Sequence, residues 1–202
     1  VRTFTWIDPV HENIRELPVV FDSDIEIEHR PLENHSGRDI SLFEKLTGRG
    51  ELLSERLNTM YAKELMISGK NDEIVRALDY FKRIADDDAT SASALKDAIC
   101  VIVAGAYYGK DPLTMYYYAL KEVAMEPSSE VCHYLGRYYY DNGDIKEATV
   151  WFYNAAYETE SALDIRYNGE YPLSMLAECF DRLGDADSAS DYRRQAEDAK
   201  KL

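Results

Sequence analysis

The residues that could do chemistry sit early in the chain. In TFTWIDPVHENI, His11 and Glu12 follow an Asp-Pro turn, and Trp6 stands on its other side. His29 closes a second segment, VVFDSDIEIEHR, and a neutral imidazole is a good ligand for Mn²⁺-like ions. Asp22-Ser23-Asp24 in that segment sets two carboxylates one residue apart. On a strand alternate residues share a face, so Asp22, Asp24, Glu26 and Glu28 lie opposite Phe21, Ser23, Ile25 and Ile27. That pattern reads as a solvated acidic face. Plainer roles compete for the others: a structural hydrogen-bonding side chain for His11, a strand-end surface position for His29, and a core position for Trp6.

The elements that would carry these residues are short. TFTWID and VVFDSDIEIEHR alternate polar and apolar residues and are rich in β-branched and aromatic types, the period-two signature of strands. Two lone strands cannot bury a face, and such a ribbon is marginal in water unless it packs on other strands or on helices. Residues 1–31 are therefore expected to be the margin of a sheet or a cap on the first helical repeat.

From about Gly37 onward the apolar residues fall at three- and four-residue spacing, with glycine-containing breaks, so the remainder is expected to be helical. The clearest unit, LGRYYYDNGDIKEATVWFYNA, matches the tetratricopeptide pattern. Leu135, Gly136 and Tyr139 give one helix's contact face, Gly143 the turn, and Ala148, Phe152 and Ala155 the second face. A later copy places Leu176, Ala177, Phe180, Gly184, Ala189 and Ala196 at matching offsets, with Arg193 where an aromatic is expected and Tyr192 beside it. The breaks at Gly69, Gly109, Gly143 and Gly184 are 40, 34 and 41 residues apart, against about 34 in an uninterrupted array. The extra residues before the last unit fall near Tyr167 to Pro172 and predict a longer turn. SGRDISLFEKLTGRG adds a short helix ahead of the first pair, with Ser36 or Ser41 as possible N-caps.

Composition narrows the function. A net charge of −15 repels a phosphate backbone, and no basic patch offsets it, so a nucleic-acid partner is not expected. The longest apolar run, ICVIVAGAYY from Ile99, is too short to span a bilayer and has the length of a buried helix. Cys100, Cys132 and Cys179 lie far apart among apolar neighbours, with no CxxC or Cys/His cluster for zinc, and are expected to be reduced, buried thiols of a cytoplasmic protein. Val1 in place of Met is what a processed or excised chain would show, and no charged-then-apolar secretion signal is in view.

The succession of FTWIDPVHE, IEIEHR, a linker with an FEKL helix, YAKEL with GK, LGRYYYDNGDIKEA and finally CFDRLGD resembles the C-terminal part of bacterial family-2 glycosyltransferases. These carry tetratricopeptide repeats behind a catalytic domain of the GT-A type, and they include the sublancin-type peptide S-glycosyltransferases. The resemblance covers nearly the whole chain. It implies a full-length enzyme that binds a UDP-sugar through a divalent metal, Mn or Mg, in an upstream half that this chain does not contain. No cofactor is then held by this chain, and no activity is expected from it alone. It also implies that His11 and Glu12 lie on the acceptor side of the catalytic cleft and that His29 completes a metal shell.

The expected architecture is mainly α: a tetratricopeptide-like right-handed solenoid of about four helix pairs with a short N-terminal β segment. Residues 1–31 form the β segment, 32–53 a linker with a short helix, and 54–202 the repeats. By register, His133, Arg137, Tyr140, Asp141, Ser174, Glu178 and Arg182 face a groove that could take a protein or peptide acceptor or another protomer. The alternative to a glycosyltransferase part is a stand-alone repeat adaptor with a peptide or protein partner.

Overall fold

The computed structural model describes residues 6–8, 13–14 and 39–201. The strand expected at Phe21–His29 and the possible cap Ser36 lie outside the described residues. What is described is mainly α-helical. The helices are α1 (Ile40–Gly48), α2 (Glu55–Ser68), α3 (Asn71–Ala85), α4 (Ala92–Tyr108), α5 (Pro112–Val123), α6 (Ser129–Asp141), α7 (Ile145–Tyr153), α8 (Glu170–Leu183) and α9 (Ala186–Ala199).

Local chemistry sets where they start and stop. Ser54, Ser91, Asp111, Ser128, Asp144 and Asp185 each cap a helix by accepting from the backbone N–H three residues on. Such a cap contributes about 0.5–2 kcal/mol. The turns ending α6 and α8 place Gly143 and Gly184 at φ of 83° and 80°, where a Cβ would be strained. At the Gly109 break the left-handed residue is instead Lys110, with Asp111 as cap and Pro112 in the first helical turn. Ser41 does not cap α1: the helix already begins at Ile40, after Asp39, and a cap must precede the first helical residue.

β1 (Trp6–Ile7) pairs antiparallel with β2 (Asn13–Ile14), with Trp6 opposite Ile14. Asp8, next in the chain, accepts from the Ser54 hydroxyl at 3.2 Å and from Arg56 at 2.9 Å, which ties this ribbon to the start of α2.

Packing centres on α4, whose neighbours are α2, α3, α5 and α6. Ile99 to Ala104 and Ala106 are at most 1% exposed, so the apolar run is a helix covered on every side. α3 lies along α4 far more extensively than along α2, its neighbour in the chain. A second core joins Ala148 and Phe152 of α7 to Leu173, Leu176 and Cys179 of α8 and Ala196 of α9. Where Arg193 displaces the expected aromatic, Tyr192 takes its place and stacks on Phe180 with ring centroids 5.3 Å apart.

The longer turn before α8 is folded. It holds a π turn at Asn154–Glu158 and a 3₁₀ turn at Ile165–Asn168. The fully buried Glu130 carboxylate accepts from the backbone N–H groups of Ala162, Leu163 and Asp164 at 3.0, 2.8 and 3.0 Å. Asn168 adds bonds to the carbonyls of Ala155 and Thr159.

Gly136 and Phe152 show how closely α6 and α7 approach: a Cβ at Gly136 would sit 2.7 Å from the Phe152 ring, which is itself fully buried. Gly136→Ala is expected to lower stability by about 1–3 kcal/mol through overpacking. Urea unfolding measures it, and an unchanged midpoint would mean that the ring has somewhere else to go.

Candidate functional site

A cavity of about 340 Å³ forms where α6 and α8 meet the ends of α2 and α4. Met66, Ile67 and Gly69 line it from the end of α2, Ile74 from α3, and Tyr108 from the last residue of α4. His133, Tyr134 and Arg137 come from α6, Tyr167 from the 3₁₀ turn, and Tyr171, Ser174 and Met175 from α8. The helical period explains the α6 set, since residues three and four apart share a face.

Three tyrosine hydroxyls run in a chain through the wall: Tyr108 to Tyr134 at 3.3 Å and Tyr134 to Tyr167 at 2.9 Å. Burial and the neighbouring hydroxyls push the Tyr134 phenol well above its ordinary pKa, so it stays protonated. His133 is 6% exposed and packs its ring 5.2 Å from that of Tyr167. Burial, and secondarily the Arg137 charge, pull its pKa down to about 3, which keeps the imidazole neutral. The guanidinium of Arg137 lies 5.7 Å from the Tyr107 ring centre. Neither His133 Nδ1 nor Arg137 Nε has a hydrogen-bond partner among the described residues.

Arg166 fastens the insertion to the end of α2. It pairs with Asp164 at 2.7 Å, donates to the Ile67 carbonyl at 2.9 Å, and lies 5.1 Å from the Tyr171 ring centre.

Of the groove residues expected from the register, His133, Arg137 and Ser174 meet in this cavity. Tyr140, Glu178 and Arg182 gather in a separate cluster: the Tyr140 hydroxyl donates to Glu178 at 2.9 Å, and Arg182 lies 4.0 Å from the Tyr140 ring centre. Asp141 accepts from Tyr107 at 2.6 Å, and burial with this carboxylate pushes the Tyr107 phenol up to about 12. His11, Glu12, His29 and Asp22-Ser23-Asp24 lie outside the described residues. Among the described residues no group of three or more His, Cys, Asp or Glu could hold a metal ion. Sequence reasoning passed over Tyr108, Tyr134, Tyr167 and Tyr171; their signal was an excess of tyrosine at positions that the repeat pattern does not ask for.

A buried polar trio elsewhere resembles catalytic machinery without its access. Cys100 Sγ lies 3.4 Å from Ser128 Oγ, which donates to Glu122 Oε2 at 3.1 Å. Cys100 and Ser128 are fully buried, and burial raises the Cys100 thiol pKa, so no thiolate forms and no substrate reaches it. Cys132 and Cys179 are likewise buried and unpaired. No helix among the described residues is long and apolar enough to cross a membrane. No family model, curated protein or solved structure matches the chain.

Burial raises the Glu122 pKa from 4.5 to about 7, against the opposing bonds from Ser128. A carboxyl with a raised folded pKa binds its proton more tightly folded than unfolded, so its share of stability falls as pH rises from about 4.5 to 7. Glu122→Gln is expected to remove that decline, with the wild type losing about 1–3 kcal/mol more than the variant over this range. Denaturant titrations of both at pH 4.5 and 7.5 measure it, and parallel curves would refute it.

Proposed function

We propose that the chain is a tetratricopeptide-like right-handed helical-repeat module that binds a segment of a peptide or protein partner and has no catalytic role by itself. The observation that carries this reading is the cavity. The first helices of successive helix–turn–helix units contribute to it through Met66, Tyr108, His133 and Ser174, as the inner faces of stacked repeats do. Its walls combine apolar and aromatic side chains with an at least equal share of polar surface, which suits a ligand with a polar group. The Cys100, Ser128 and Glu122 trio is shut away from substrate, which favours binding over chemistry in the described part.

The residues FTWIDPVHE and IEIEHR support placing this module at the C-terminal side of a family-2 glycosyltransferase catalytic domain. That domain would hold the UDP-sugar and its divalent ion, and the module would engage the acceptor or a second protomer. The stand-alone adaptor differs only in lacking this upstream domain.

Panning a random-peptide library on the chain is expected to enrich binders of about micromolar affinity. Ser174→Trp, which fills the cavity from its rim, is expected to weaken them at least about tenfold. Absence of enriched peptides, or binders indifferent to this substitution, would overturn the module reading. Calorimetry with UDP-glucose and Mn²⁺ is expected to give no binding heat, and clear binding would place nucleotide-sugar recognition in this chain.

A further inference from the structure

The polar groups around the cavity specify more than a site; they specify a charge. Arg137 has no carboxylate within 4.0 Å among the described residues, while Arg166 is neutralised by Asp164 at 2.7 Å. His133 is neutral and adds none. Among the described residues, one cation without a direct ion pair therefore borders the cavity of a chain whose net charge is −15, with Asp141 acting on it only at longer range. It can match a single negative charge. A dianionic phosphate would leave one charge unmatched inside an acidic protein, and a neutral ligand would leave the guanidinium unpaired.

The hydroxyls point the same way. Tyr108, Tyr134 and Tyr167 own one hydrogen each, and the two bonds between them consume two, so one O–H has no acceptor among the described residues. Tyr171 lines the same cavity, and its hydroxyl makes no hydrogen bond among the described residues. These hydroxyls have hydrogens to give, and an ionised carboxylate is a group that accepts them without donating. Met66, Ile74 and the tyrosine rings supply the rest of the wall, which suits an apolar or aromatic body behind the charge.

We infer that the cavity recognises one carboxylate carried on an apolar or aromatic group, as an acidic residue flanked by apolar ones presents on a peptide, with Arg137 pairing the charge and the tyrosine hydroxyls donating to it. This rests on the binding-module reading. The guanidinium fork fits a carboxylate in two parallel bonds, which an ammonium cannot reproduce.

The test uses three probes that share a phenyl ring: 3-phenylpropionate, its neutral amide, and phenyl phosphate. Each is titrated into the chain, with the arginine Nε–Hε and tyrosine ring resonances followed by NMR. The carboxylate is expected to shift the Arg137 signal saturably and to bind at least about tenfold tighter than the amide or the phosphate. Arg137→Lys is expected to weaken it about tenfold, and Tyr171→Phe, which leaves size and packing in place, by a few fold. Equal binding of amide and carboxylate to the unaltered chain overturns the inference without reliance on any variant's folding. Tighter binding of phenyl phosphate overturns it in favour of a phosphorylated ligand. Library peptides that need the cavity but carry no acid would sink the carboxylate and leave the module standing. Saturable phenylpropionate binding at Arg137 with no enriched peptide would do the reverse.

Discussion

The constraint on which the rest of the structure depends is a helix with no outside. α4 carries Ala, Ile, Val and Cys around its whole circumference between Ile99 and Ala106, and none of that surface can face water. At roughly 25 cal/mol per Å² of apolar surface, leaving one side open would cost several kcal/mol, so four other helices must gather around it. α2, α3, α5 and α6 do so. The tight union of α3 with α4, instead of with α2, follows from that demand. The same arrangement fixes where α4 ends, and so where Tyr107 and Tyr108 stand relative to α6.

A second constraint acts through one side chain. Glu130 is buried at the start of α6, and its two oxygens take three consecutive backbone N–H groups of the segment before α8. Charge-assisted bonds to backbone donors are among the stronger hydrogen bonds, and leaving such donors unpaired costs about 1–3 kcal/mol each. The insertion is thus a built wall. It carries Tyr167 against Tyr134 and Arg166 against the end of α2, and it closes one side of the cavity.

Much of this was legible in the residues. Gly143 and Gly184 marked the turns, the unbroken apolar run the central helix, and Gly136 with Phe152 a close crossing. Helical spacing placed His133, Arg137 and Ser174 toward a common space. Other features are tertiary, and their partners could not be read from local sequence. The tyrosine chain joins residues 26 and 33 positions apart, brought together by α4, α6 and the 3₁₀ turn before α8. Tyr140, Glu178 and Arg182 satisfy one another across α6 and α8, which takes them out of the cavity despite their register. At the Gly109 break the left-handed residue is Lys110, followed by the cap Asp111 and Pro112 in the first helical turn.

The charge distribution gives the cavity its character. Acidic residues outnumber basic ones by 38 to 23, so arginines have carboxylates to choose from. Arg76, Arg166, Arg193 and Arg194 each take one. Arg137, like Arg83 and Arg182, lies over a tyrosine ring instead, and it stands beside an imidazole that burial keeps neutral. The one nearby acid on its own helix, Asp141, accepts from Tyr107. No carboxylate among the described residues pairs directly with this guanidinium, although Asp141 acts on it at longer range. Holding a cation part-buried without a directly paired anion costs stability.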